Sequence, residues 1–293
     1  MTLAGLGCVR LRYIMRLKVK RSGRVSRARP GRVDGQPIEK KDSDHAAIRG
    51  KSMRGLGRYV RVLKLFDEKR SQWTIAEIAA TLDVPSSTVY RTVQDMVAAN
   101  FLESANEAQY RLGASFIEMD RMIRVTDPLH ELGTPLLRDI RQQARVPCVT
   151  VIARLYNDTV MCVAQDGEDA DSSIHTSYER GRPRPLARGA TSKVILAQLP
   201  SRRLDRLLGK GSKADELRAE LARIKKQEIC VTRGEVDRGL VGIAAPILVP
   251  ERALIGSFSI ILREADVDPQ QERRLSLLVP SAAQLLSRQL SAV

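Results

Sequence analysis

Cysteine is scarce in this chain. Four occur in 293 residues (Cys8, Cys148, Cys162, Cys230), far apart and without a CxxC pair. That excludes a disulfide framework and a thiolate zinc site, and it is compatible with a reducing compartment such as the cytoplasm. The three histidines, His45, His130 and His175, have no ligand spacing, so neither a metal nor another cofactor is expected. Long apolar runs are missing too. No stretch approaches the roughly 18 residues that a membrane-spanning helix needs, and no membrane partner is expected. Catalytic signatures are equally absent: no nucleophile elbow in a Ser/His/Asp order, no GxGxxG, no Walker loop and no HExxH. An enzyme with a helical assembly module would need such a constellation, so an enzyme is the weakest reading.

What the chain does have is positive charge. Lys and Arg number 49 against 34 Asp and Glu, a net charge of +15. Such a balance favours an anionic partner, nucleic acid above all. The excess is uneven. Residues 1–51 hold fourteen Lys and Arg against Asp34, Glu39, Asp42 and Asp44, which accounts for ten of the fifteen charges. Residues 1–52 lack sustained periodicity and are expected to be disordered. Three explanations of this arm stand side by side. It could add sequence-independent DNA affinity, which would make the protein a non-specific nucleic-acid binder. Its Arg-rich, acid-free start resembles a transit peptide. Or translation starts later, at Met15 or at Met53 just before the first good helix; this last explanation is favoured, and the intact mass of protein made from the native gene tests it.

The remainder is organised around Thr74–Val93, TIAEIAATLDVPSSTVYRTV. Ile75, Ile78, Ala79 and Leu82 recur at helical spacing, as do Val89, Val93, Met96 and Val97. Asp83 lies in the break, where a left-handed residue is needed and Asp tolerates one. Small Ala79 allows the helices to approach, and Val89 fills the angle between them. This is the pattern of a helix-turn-helix, whose second helix enters the DNA major groove. Pro85 and Ser86 suit its start, with a serine able to cap free amides. Ser86, Ser87, Thr88, Tyr90, Arg91 and Gln94 are its polar positions and the expected DNA contacts. A plain helical hairpin with a polar outer face would share the pattern, so the flanks matter.

Before it, Leu56, Tyr59, Val60, Leu63 and Phe66 give Arg54–Glu68 an amphipathic helix, with Arg54, Arg58, Arg61 and Lys64 on the polar side. Trp73 is read as a core anchor. After it, Asn100 suits a left-handed cap. Phe101–Glu103 and Tyr110–Leu112 flank a turn, a β-hairpin that makes the module a winged helix-turn-helix over 54–113, with Arg111 in the wing placed to meet a phosphate. Residues 114–127 read as a linker helix with Phe116, Ile117, Met119 and Ile123 apolar. Asp127-Pro128 marks a boundary, and 128–293 follow as a second domain. A helix through Leu129–Arg145 leads it. Strands are expected at Cys148–Arg154, Thr159–Gln165, Ser173–Tyr178, Gly239–Val249 and Leu254–Arg263. Helices are expected at Ala190–Gln198, from Ser201, at Ala214–Gln227 and at Pro269–Leu290. Helices around an antiparallel sheet make this domain α+β, and the whole chain mainly α and α+β.

From Arg54 to about Leu290 the chain resembles the IclR family of bacterial transcriptional regulators. The resemblance is carried by Arg54-Gly55-Leu56, Thr74–Ala79, Val84–Arg91, Tyr110–Gly113, Gly189–Lys193, Leu196-Ala197, Pro200 and Gly239–Pro246. It implies a GAF-like effector-binding domain, a small-molecule effector that is often a carboxylate from a catabolic pathway, and homodimers or homotetramers on a pseudo-palindromic double-stranded operator. By motif position, the effector pocket would be lined by Ala190, Thr191, Leu240, Gly242, Ser259 and Ile261, with Thr232 nearby. Amides at a helix start near Ala190 and Thr191 would favour an anion, and hydroxyls of Thr191, Thr232 and Ser259 would add hydrogen bonds. Thr232 stands where family members often carry an acid, and Gly242 where many carry Cys or Ser. That leans the expected effector toward a larger or more apolar acid, such as an aromatic catabolite.

Overall fold

The computed structural model describes residues 55–167 and 174–293. The expectations for the basic arm, for Met53 and Arg54, and for Ser173 lie outside those residues.

Helix α1 (Leu56–Leu63) is shorter than the periodicity predicted. Its inward side also differs: Leu56 is 76% and Val60 38% exposed, while Val62 and Leu65 are buried. The rotation is set by polar tethers. The Tyr59 hydroxyl donates to Asp95 at 2.9 Å, and the Arg61 guanidinium to the Leu82 carbonyl at 3.2 Å, which turns Val62 toward the core. The indole N–H of buried Trp73 donates to the Leu65 carbonyl at 3.0 Å, and Arg70 stacks 3.6 Å over its ring. Trp73–Thr74 form a two-residue strand, β1, too short to leave a sequence signal.

Thr74 then caps α2 (Ile75–Leu82) in a capping box. Its hydroxyl accepts from the Glu77 amide, and the Glu77 carboxylate accepts from the Thr74 amide. These bonds, the backbone one foremost, hold the Glu77 carboxyl below its usual range. Asp83 ends α2 with φ 54°, and α3 (Ser86–Ala98) follows after Val84-Pro85. Ser86 is the first helical residue rather than a cap; the flanking Pro85 has no side chain that can accept a hydrogen bond. Asn100 has φ 57°. Strands β2 (Leu102–Ser104) and β3 (Gln109–Leu112) form the wing, in a sheet of order β1-β3-β2. Gly113 has no room for a side chain, because a Cβ there would meet the Asn100 carbonyl oxygen at 2.3 Å.

Helix α4 (Ser115–Thr126) leads through Asp127, which caps α5 (Pro128–Ala144). The second domain is built on a six-stranded antiparallel sheet of order β6-β5-β4-β9-β8-β7. Its strands are β4 (Val149–Tyr156), β5 (Thr159–Asp166), β6 (Pro183–Pro185), β7 (Cys230–Arg233), β8 (Leu240–Val249) and β9 (Leu254–Arg263). Period-two alternation sorts the side chains. Val241, Ile243, Phe258 and Ile260 pack with α5 and α9 (Pro269–Ser291). Ala153 and Ala244 join α6 (Ala190–Leu196) and α8 (Ser212–Gln227) on the other face, where α7 (Ser201–Leu208) adds partly buried leucines.

The strand expected at Ser173–Tyr178 is not one. Residues 174–182 run irregularly beside β5 with a single bridge, Cys162 to Arg180, and the edge strand is Pro183–Pro185. The reason is local. The Thr176 hydroxyl and the Ser177 amide and hydroxyl all donate to Asp237, and groups so engaged do not form a ladder. An edge tolerates prolines, which lack the N–H that a central strand would need.

Candidate nucleic-acid interface and effector pocket

Helix α3 has two sharply different sides. Val89, Thr92, Val93 and Met96 are buried, and the Thr92 hydroxyl returns to the Thr88 carbonyl at 2.9 Å. Ser87, Tyr90, Arg91 and Gln94, spaced as one helical stripe, are exposed, Tyr90 by 53%. Ser86 is exposed at the amino end, while Thr88 is only half-exposed at the margin. Among the described residues Arg91 forms no ion pair. Arg111 lies across the wing from Glu103 and bonds to it at 2.6 Å, so its charge is partly compensated. Arg58 and Arg61 face inward onto Tyr59 and Leu82. The stripe therefore presents hydroxyls, an amide, a guanidinium and an aromatic ring on one convex surface, a set able to meet phosphates and base edges.

In the second domain a small cavity lies where α6 meets β8 and β9. It is lined by Tyr178, Gly189, Ala190, Thr191, Thr232, Glu235, Val236, Asp237, Leu240, Gly242 and Ile261, and measures about 20 Å³ at the radius of a water molecule. Six of the seven expected pocket residues line it. Ser259 does not, but its hydroxyl accepts from Thr191 at 3.0 Å directly behind the wall. Gly242 forms the floor: a Cβ there would meet the Ala190 Cβ at 3.4 Å and the Thr232 hydroxyl at 3.6 Å.

Of the amides expected to face a ligand, that of Ala190 already has a partner, as does the neighbouring Gly189 amide. The Ala190 amide donates to the Thr232 hydroxyl and the Gly189 amide to the Glu235 carboxylate, each at 3.0 Å. Glu235 also accepts from Lys193 at 2.7 Å, and Lys193 reaches Glu220 at the same distance. Burial raises the Glu235 carboxyl, but Lys193 and the Gly189 amide outweigh it and hold the group below its usual range. Burial likewise lowers the Lys193 ammonium, and its two carboxylate partners more than restore it. Sequence reading did not find Tyr178, Gly189, Glu235, Val236 and Asp237 as cavity residues. They sit on irregular segments, where periodicity carries no information.

A larger depression, about 660 Å³, lies between α5 and α9 around Asp139, Gln142, Arg145, Arg274 and Leu277. It is shallow and on the far face of the sheet from the cavity. The buried Cys148 and Cys230 thiols are pushed up to about 12 by burial, which makes them packing groups rather than nucleophiles.

Comparison with known proteins agrees with this division. Residues 55–105 match the IclR helix-turn-helix domain, and residues 131–288 match the C-terminal domain of bacterial IclR transcriptional regulators. The HTH-type transcriptional regulator KipR of Bacillus subtilis is 26% identical over 247 residues, covering 78% of this chain and 94% of its own. The Pca regulon regulatory protein of Pseudomonas putida is 22% identical, with coverage of 81% and 84%. The crystal structure of an IclR homolog from Microbacterium hydrocarbonoxydans, in complex with 4-hydroxybenzoate, superposes with a TM-score of 0.68 at 22% identity, covering 80% of this chain and 98% of that one. With both domains matched in order, the chain belongs to the IclR family of transcriptional regulators, non-enzymatic proteins that join a DNA-binding helix-turn-helix to an effector-binding C-terminal domain.

Proposed function

We propose that the protein controls a catabolic operon in the bacterial cytoplasm. As a homodimer or homotetramer it reads a pseudo-palindromic operator, and it responds to a small carboxylic or aromatic acid. The stripe Ser87, Tyr90, Arg91 and Gln94 carries the reading: it is the one face of α3 left to solvent, and its side chains are those that read base edges. Ser86 and Thr88 flank it at the phosphate backbone, Arg111 adds charge from the wing, and Arg54 remains an expected contact from the sequence. Ile117, Met119, Met122, Ile123 and Val125 on α4 are exposed, apolar surface around the helix that a second copy would partly cover.

The cavity is the effector site in this reading. An acid entering it competes with Glu235 and Thr232 for the Gly189 and Ala190 amides, and the hydroxyls of Thr191 and Thr232 supply further partners. Gly242 leaves the space of one methyl group between Ala190 and Thr232. One relative supports an aromatic acid: the Microbacterium homolog was crystallised in complex with 4-hydroxybenzoate.

The test is binding of the Met53-start protein to its own upstream DNA at near-physiological salt, against a scrambled duplex. A preference of about a thousandfold is expected of a specific regulator. Adding 4-hydroxybenzoate and other small carboxylic acids should then release or tighten the complex. Equal, salt-sensitive binding to both duplexes would overturn operator reading by α3.

A further inference from the structure

The stretch Thr176–Arg182 touches three places at once. At the cavity, buried Tyr178 forms part of the wall, its hydroxyl hydrogen-bonded to Ser192 at 3.1 Å and to the Arg188 carbonyl at 3.4 Å. Thr176 and Ser177 clasp Asp237, which belongs to the opposite wall segment. Two residues after Tyr178, Arg180 donates to one Asp120 oxygen on α4 through both Nε (3.2 Å) and Nη2 (2.8 Å), and to the Val163 carbonyl on β5. Arg182 reaches Glu68, between α1 and β1, at 3.5 Å.

At about 20 Å³ the cavity cannot take an organic acid without a wall giving way. Ala190, Gly242 and Ile261 are fixed in α6, β8 and β9. Tyr178, Gly189, Glu235, Val236 and Asp237 lie on irregular segments, two of which are joined through Asp237. A two-residue spacing spans roughly 7 Å of chain, so a displacement of Tyr178 pulls directly on Arg180, against its bridge to Cys162. Its paired bonds to Asp120 need close, aligned donors, so a shift of an ångström or so breaks them.

We propose that Thr176–Arg182 is the connector between cavity and DNA-reading head, with Arg180 and Asp120 as its positioning residues: opening the wall loosens Arg180 from the linker helix α4. This rests on the cavity being the effector site. A ligand favouring the open wall thereby favours the arrangement in which α4 is released.

Hydrogen–deuterium exchange of the full chain tests it without DNA or effector, so its failure is separate from failure of the functional reading. Arg180→Ala should speed exchange of α4 amides around Asp120 on the order of three- to tenfold. Asp237→Ala, which opens the clasp on the cavity side, should do the same, and the double variant should be no faster than Arg180→Ala alone. If Asp237→Ala also speeds exchange throughout β8 and β9, Ser177→Ala replaces it. The charge-exchanged pair Asp120→Arg with Arg180→Asp should regain protection that either single change loses. Unchanged α4 exchange in the clasp variants, or clasp and Arg180 effects that multiply, would overturn the proposal.

Discussion

Gly189 has φ 83°, and a Cβ there would lie 2.5 Å from a Val236 methyl and 2.8 Å from the Tyr178 hydroxyl. Both the backbone and the cavity wall thus require glycine. Gly189→Ala should cost on the order of 1–3 kcal/mol in urea unfolding, measured against an alanine control at Gly57, which is exposed, has open space and needs no positive φ. Arg91 works at the same scale in a different currency, contact rather than strain. Its exposed guanidinium has no competing carboxylate among the described residues. Arg91→Ala should weaken operator binding by about 1–3 kcal/mol and flatten the preference at one base position, as read by a panel of single-substitution duplexes. An equal loss on every duplex would make Arg91 a phosphate contact instead.

At the scale of elements, α2 is eight residues long and rests on its capping box. Thr74→Ala removes the acceptor for the Glu77 amide and should lower stability by about 1 kcal/mol. Thr74→Ser should restore most of it, since it keeps the hydroxyl; thermal melts of the three proteins decide. Helix α4 shows the opposite balance, with Ser115 its one buried residue and most of its circumference exposed. Ile117 is 75% exposed, and Met119, Met122, Ile123 and Val125 are exposed beside it. If a second copy covers this surface, Ile117→Glu buries a charge in the contact. Sedimentation should then show a smaller assembly while circular dichroism stays unchanged.

The whole molecule carries a pH dependence with two limbs. Burial, then Arg180 and Arg124, depress the His130 imidazole below its usual 6.5, against the opposing pull of Asp127 and Asp120. The folded chain therefore binds fewer protons there than the unfolded one, and stability falls as pH drops below 6.5. A second limb comes from carboxyls held low: Asp120, chiefly by Arg180, and Glu235, by Lys193 and the Gly189 amide against burial. Their stabilisation is present above the ordinary carboxylate range and is lost as pH falls through their lowered values. Melting temperature followed from pH 8 to 3 should show both limbs, and His130→Gln should lack the first. A wild-type curve flat between pH 7 and 5 would contradict the assignment to His130.

Sequence alone determined the elements that repeat. The helices of the DNA-reading head, the αL residues Asp83 and Asn100, the wing hairpin, the long strands and α9 were all legible, because 3.6- and 2-residue periodicities and turn chemistry are local. The family motifs carried six of the seven anticipated residues to one cavity. Tertiary structure decided what periodicity cannot express. The rotation of α1 follows from Tyr59 and Arg61 reaching other helices, not from its own pattern. Thr176 and Ser177 left the sheet because Asp237, sixty residues on, offered a better partner. The cavity's remaining wall, Tyr178 and Gly189 with Glu235–Asp237, lies in irregular chain whose meaning arises only from long-range hydrogen bonds. So does the charge state of the pocket, where Lys193, Glu220 and Glu235 meet from three separate stretches and Glu235 takes the Gly189 amide.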